Sequence, residues 1–154
     1  MPVARTVLSY LQSRQIPYTV VPHRRTLSSR ETAQAAHVSA EHLAKAVIFY
    51  DPQGYLMAVV PGDRHVGVES LSDKLGRQLA LADESRIAPV FKDCEVGAIP
   101  PLGPAYGMDT IVDDSLVGLP EVYFEAGDHE ELIRVNGEQF LQMLTQARHG
   151  QFSH

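Results

Sequence analysis

An α/β domain with a mixed β-sheet is predicted by three observations on this 154-residue chain. Short apolar, partly β-branched runs recur from Ala46 to Val135, while stretches of helical period lie before, between and after them. With 44% apolar and 21% charged residues, the composition is that of a globular protein. A chain of this size buries roughly 70% of its extended-chain surface on folding. One domain over residues 1–154 is therefore expected.

Ala4, Val7, Leu8 and Leu11 follow the i, i+3, i+4, i+7 rule and predict a first helix, which Ile16-Pro17 ends. Tyr18 to Val21 reads as a short strand. Ser28-Ser29-Arg30-Glu31 has capping-box spacing and predicts a second helix to about His37. Ala46–Tyr50 and Tyr55–Pro61 form a hairpin around Asp51-Pro52-Gln53-Gly54, and their weak alternation implies burial on both faces. Leu71–Leu75 is a short helix stopped by Gly76, Leu79–Leu81 a strand, and Asp83 caps a helix carrying Ile87, Val90 and Phe91. Gly97 to Gly107, six of whose eleven residues are Gly or Pro, is a constrained loop. Strands follow near Thr110–Val112, Val122–Glu125 and Leu132–Val135. Asn136 and Gln139 cap a last helix with Phe140, Met143, Leu144 and Ala147 on one face. The tail from Arg148 is expected to fray.

The net charge of −6 argues against a general nucleic-acid binder, and no DNA partner is expected. Its distribution says more. Residues 1–45 hold six basic and two acidic residues, a net +4, and the remainder seven and seventeen, a net −10. That polarity permits a basic face for a polyanion, with Arg24, Arg25 and Arg30 as candidates, although unevenly solvated surface helices would give the same pattern. The single cysteine, Cys94, cannot form an internal disulfide. No apolar run approaches a membrane span, and the start, Met1 to Arg5, lacks a secretory leader. A soluble cytoplasmic protein is expected.

Phosphate loops, dinucleotide fingerprints, nucleophile elbows and H-E-x-x-H are all absent from the sequence. Seven histidines invite a metal site, but His37 and His42 are five apart and would not share a helix face, so no metal is expected. Lys45 opens the buried strand Lys45-Ala46-Val47-Ile48-Phe49. It either snorkels to water or fixes a cation at the mouth of a pocket. The loop Gly97-Ala98-Ile99-Pro100-Pro101 could offer backbone N–H groups to a substrate, glycine permitting close approach and proline stiffening the path. Asp128-His129 sits between two strands, as a turn or as part of a site.

In this order and spacing, Lys45-Ala46-Val47-Ile48-Phe49, Gly97-x-x-x-Pro101 and Tyr123-Phe124-Glu125-Ala126-Gly127-Asp128-His129 before Leu132-Ile133 resemble the YbaK-like aminoacyl-tRNA deacylases. These include the editing domain inserted in bacterial prolyl-tRNA synthetases. The resemblance runs from the first helix to the Phe140 helix. It implies a mixed, partly barrel-like β-sheet with flanking helices, and hydrolysis of amino acids wrongly esterified to tRNA, without a cofactor. Members that clear alanine tend to carry a histidine near the position of His129, which points to a small uncharged amino acid on proline-type tRNA. The implied partners are a tRNA acceptor end and an aminoacyl-tRNA synthetase.

Ester hydrolysis develops negative charge on the carbonyl oxygen, and a preorganised donor there is worth roughly 3–4 kcal/mol. Gly97 with Ala98, Ile99, Pro100 and Pro101 is assigned that role, with Asp128 beside the substrate. Acting as a base near pH 7 would require Lys45 to lose about three pKa units, at about 4 kcal/mol, so electrostatic positioning is expected instead. His129 would accept a hydrogen bond from the substrate amine or orient water. Cys94 lies between Asp93 and Glu95, which disfavour its thiolate, so water or a group of the substrate attacks. Arg24, Arg25 and Arg30 would hold acceptor-stem phosphates. A non-catalytic module binding aminoacyl-tRNA or a synthetase, and a small-molecule esterase, remain open on these residues.

Overall fold

The computed structural model describes residues 3–95 and 97–154; the reading of the chain's start rests partly on Met1 and Pro2, which lie outside them. The mixed sheet contains β1 (Thr19–Pro22), β2 (Leu43–Asp51), β3 (Gly54–Pro61), β4 (Ala80–Leu81), β5 (Asp109–Asp113), β6 (Glu121–Glu125), β7 (Glu131–Asn136) and β8 (Arg148–Gly150). Its order is β1-β7-β6-β2-β3-β5-β8, with β4 also set against β2. The pairs β2–β6, β3–β5 and β5–β8 are parallel and the others antiparallel. Flanking helices are α1 (Arg5–Ser13), α2 (Ser29–Ala36), α3 (Val68–Leu75), α4 (Glu84–Ile87) and α5 (Gly137–Met143). This is the mixed α/β architecture expected. No helix among the described residues is long and apolar enough to cross a membrane.

The hairpin strands fail to alternate because both faces are covered. Ile48, Met57 and Val59 pack with Leu11 of α1 and Phe140 of α5, while Phe49, Ala58 and Val60 pack with Leu71 of α3 and Phe152. The turn is fixed by Asp51, whose Oδ1 accepts the Gln53 N–H at 2.9 Å, and by Arg77, which grips both carboxylate oxygens at 2.7 and 2.8 Å. Capping signatures act as predicted. Ser28 Oγ accepts the Glu31 N–H, and Asn136 and Gln139 form a reciprocal capping box. Gly76 ends α3 at φ +63°, where a side chain would be strained.

Three expectations need correction. Helix α4 is a single turn capped by Asp83, and Val90 and Phe91 lie beyond it, the chain having only Pro89 to offer where the helix would continue. Helix α5 stops at Met143, so Ala147 is past its end. The tail does not fray. Arg148–Gly150 adds a parallel strand to β5, Phe152 is buried, and Asp113 Oδ1 accepts the N–H groups of Phe152 and Ser153, both at 3.0 Å. Backbone pairing holds this segment, so no side-chain period announces it.

One feature of β2 positions the site. Its edge opposite β3 pairs with β6 only at Leu43 and Ala44, and with β4 only at Phe49 and Tyr50, with Ala82 N–H reaching the Ile48 carbonyl at 2.9 Å. Between these contacts the sheet splits. Alternation along an antiparallel ladder puts Ala46 in phase with Ala44 and Ile48, so its N–H and C=O face the split.

Candidate active site

The split opens into a cleft of about 420 Å³, whose walls include Lys45, Ala46, Asp83, Gly97, Ile99 and Glu125. Lys45 does not open β2, as expected from sequence, but is its third residue, because Leu43 and Ala44 already pair with Tyr123 and Phe124. Extending that parallel register by one residue sets Glu125 across from Lys45, where the strands part. Burial lowers the Lys45 pKa, partly opposed by Asp63, and its Nζ lies 3.5 Å from the Gly62 carbonyl. The ammonium is thus half-buried and held at the cleft wall.

Gly97 enters with φ +82°, and a Cβ there would stand 3.3 Å from Cε1 of His129. Two loops create this contact. The Glu95 N–H donates to the Gly127 carbonyl at 2.7 Å, and the Gly127 N–H donates to the Ala98 carbonyl at 3.0 Å. The Ala4 N–H, just before α1, donates to Ala126 at 2.7 Å and pins the second loop from behind. Gly127 is required there, because a Cβ would meet the Ala4 Cβ at 2.9 Å.

The expected donor loop narrows accordingly. Pro100 and Pro101 have no N–H, and the Ala98 N–H is committed to the Glu95 carbonyl at 3.1 Å. Of this loop, Gly97 and Ile99 line the cleft, while Ala98, Pro100 and Pro101 are buried and do not line it. Asp128 does not line it either. It is 1% exposed, and its Oδ1 accepts the N–H groups of Glu130 and Glu131 at 3.2 and 2.9 Å, fixing the loop that carries His129.

Glu125, at the end of β6, is the site residue that sequence reasoning missed. Burial pushes its carboxyl up to about 7, against the opposing effects of the His129 charge and the Thr32 hydroxyl, with Asp128 adding a small upward push. His129 Nδ1 lies 3.9 Å from Glu125 Oε1, and Thr32 Oγ1 lies 3.3 Å from the same oxygen. Only a non-local pairing brings Glu125 to the cleft. Its register against Lys45 is the signal, and it requires knowing that β6 runs beside β2.

The remaining candidates lie apart. Arg24 and Arg30 are exposed, Arg30 following Ser29 at the cleft wall. Arg25 is paired with Glu95 at 2.7 Å. Burial pushes the Cys94 thiol up to about 12, with the Asp93 charge adding to it, so it holds no thiolate for attack. No three His, Cys, Asp or Glu side chains among the described residues gather to hold a metal.

Known proteins share both the sequence pattern and the fold. Part of the chain is 32% identical over 83 residues, 53% of its length, to a proline–tRNA ligase of Thermosipho africanus (strain TCF52B), of which it spans 14%. The crystal structure of hypothetical protein APE2540 superposes with a TM-score of 0.84 at 22% identity, over 97% of this chain and all of that one. That of a candidate trans-editing enzyme for prolyl tRNA synthetase gives 0.83 at 23% identity, over all of this chain and 98% of that one. At such identities the two structures establish the fold. The profile of the aminoacyl-tRNA editing domain matches residues 23–143, a span that takes in Lys45, Gly97, Glu125 and His129, and the chain therefore belongs to that family.

Proposed function

We propose that this protein is a trans-editing deacylase, one domain over residues 1–154, that hydrolyses the ester of a mischarged tRNA, with alanine on a proline-type tRNA as substrate. One observation carries the reading: Lys45 and Gly97 meet at one cleft, with the His129 ring packed against Gly97. At about 420 Å³ the cleft is within the roughly 300–1,000 Å³ of small-ligand sites. It suits a small aminoacyl group and its ribose.

In this scheme the Gly97 or Ile99 N–H stabilises the oxyanion as it forms, where fixed backbone dipoles need no reorganisation. Lys45 remains charged and holds the ester or the terminal phosphate by electrostatics. With the Cys94 thiol protonated, water or a hydroxyl of the substrate is the attacking group. His129, buried behind Gly97 and not itself among the residues lining the cleft, acts as a positioning residue for Gly97 and Glu125. The tRNA acceptor end is the partner this chemistry requires, a prolyl-tRNA synthetase is a second, and the cytoplasm, where tRNA is charged, is the compartment.

The test is a deacylation panel of alanyl-, cysteinyl- and prolyl-tRNA of the proline type, with and without chelator. Hydrolysis of alanyl-tRNA well above the spontaneous rate, unchanged by chelator, is expected. Binding without turnover would replace the enzyme by a binding module.

A further inference from the structure

The described residues lining the cleft include one ammonium, Lys45, and three carboxylates, Asp83 and Glu84 at the start of α4 and Glu125. Lys45 stands on β2, and Glu125 stands across the split on β6, on the same face of the sheet by the Leu43–Tyr123 register. An aminoacyl ester of a nucleotide has matching polarity, with an ammonium at one end and phosphate at the other. Resting on the deacylase reading above, we propose that Glu125 receives the α-amino group of the aminoacyl ester, and so orients the acyl carbon toward Gly97.

The surroundings of Glu125 fit an acceptor awaiting a donor. Its side chain is 17% exposed, and the exposed part faces the cleft. On the inner side, Thr26 Oγ1 and Thr32 Oγ1 lie 2.6 Å apart, both residues being buried, and the Thr32 hydroxyl is 2.9 Å from the Ser28 carbonyl. A hydroxyl has one proton to give. With that of Thr32 shared between Ser28 and Glu125, the carboxylate keeps unfilled acceptor capacity on the cleft side. The charged or titratable groups around it are His129 and Asp128 from the β6–β7 loop, with Lys45, Asp83 and Glu84 on the other walls of the cleft; Asp83 Oδ1 is already engaged by the Ser85 hydroxyl and the Arg86 N–H. An arriving ammonium supplies the counter-charge that burial withholds, so binding should expel the proton Glu125 carries near neutral pH.

The discriminating pair of probes is 3′-alanylamido-3′-deoxyadenosine, which cannot be hydrolysed as an ester, and its N-acetyl form, which has no ammonium. Calorimetry on the full chain should show at least tenfold tighter binding of the free amine. Glu125→Gln should cut that preference below about threefold while leaving the N-acetyl affinity unchanged. In the wild type at pH 6, with the acyl ammonium fully protonated, titrations in buffers of different ionisation enthalpy should detect release of most of one proton with the free amine and none with the N-acetyl form. This second readout does not depend on the variant folding. An unchanged preference in Glu125→Gln, equal losses for both probes, or no proton release would overturn the assignment. Turnover of alanyl-tRNA by the wild type separates the two ideas: hydrolysis with any of those results removes only the role of Glu125, whereas absence of hydrolysis removes the deacylase reading itself.

Discussion

Asp113, buried, and Glu125, partly buried, are both acids at the ends of strands, yet their environments act in opposite directions. Burial alone would raise Asp113, but the N–H groups of Phe152, Ser153 and Ser115 and the Ser115 hydroxyl all point at it and hold it below the usual carboxylate range. Glu125 meets one shared hydroxyl, and burial wins, pushing it up to about 7. Burial pushes both upward, and what Asp113 has and Glu125 lacks is a full set of donors to oppose it. A fully satisfied acid ties the tail onto the sheet, whereas a sparsely satisfied one is left at the edge of a cleft.

The largest test of this contrast is Asp113→Ala. It leaves several buried N–H groups without an acceptor and should cost about 3 kcal/mol in urea denaturation, releasing the Arg148–Gly150 strand. A loss under about 1 kcal/mol would mean that backbone pairing alone holds the tail.

The pH dependence should differ in sign. Asp113, with its pKa depressed, stabilises the fold above about 3.9 and loses that contribution as pH falls through its lower folded value. Glu125, with its pKa raised, does the reverse. Its relative stability is present below about 4.3 and is lost as pH rises to about 7, so Glu125→Gln should stabilise the protein by on the order of 2 kcal/mol at pH 8 and by little at pH 4. Thermal melts of the two variants from about pH 3 to about pH 8 should diverge in opposite directions. Parallel curves would break the comparison.

On the facing wall, Lys45→Ala should lower turnover at least about tenfold in a protein that still melts cooperatively, the loss of one positioning contact. Lys45→Arg should rescue only part of this, since a planar fork does not occupy the point of an ammonium. Single-turnover deacylation measures both. Full activity in folded Lys45→Ala would leave the cleft with no cationic wall.

The smallest expected effect concerns the exposed cations. Removing Arg24 and Arg30 together should flatten the dependence of log tRNA affinity on log salt by up to about two units. Arg25→Ala should add less, because Glu95 already occupies its guanidinium at 2.7 Å. Filter binding at several salt concentrations checks this, and a larger effect from Arg25 would mean that the ion pair opens on tRNA.

Local signals were legible in the sequence. Ser28 with Glu31, Asn136 with Gln139, and the Asp51–Gly54 turn each act within four residues, Arg77 reinforcing only the last from outside. Lys45 and Gly97 were readable as candidates through the family pattern, and the cleft brings them together. What escaped is non-local. Glu125 reads as an ordinary outward position of an alternating strand until β6 is laid beside β2. Arg148–Gly150 carries no apolar period because its pairing is purely backbone. Asp128 was readable as a site residue through the family pattern, but it lies outside the cleft lining and its Oδ1 accepts two N–H groups of its own loop.

The split in the sheet has a consequence for how such a site can change. β2 is held by β3 along its whole length, and on the other edge it is pinned at two points, Leu43–Ala44 and Phe49–Tyr50. The width of the gap is set by those pins, which lie at its two ends. Residues that line it between the pins, such as Ala46 and Ile99, can be exchanged without moving the frame. Pocket shape and scaffold stability are thereby separated, so one sheet can acquire new ligand preferences through single side-chain replacements, each tolerated because none of them holds the gap open.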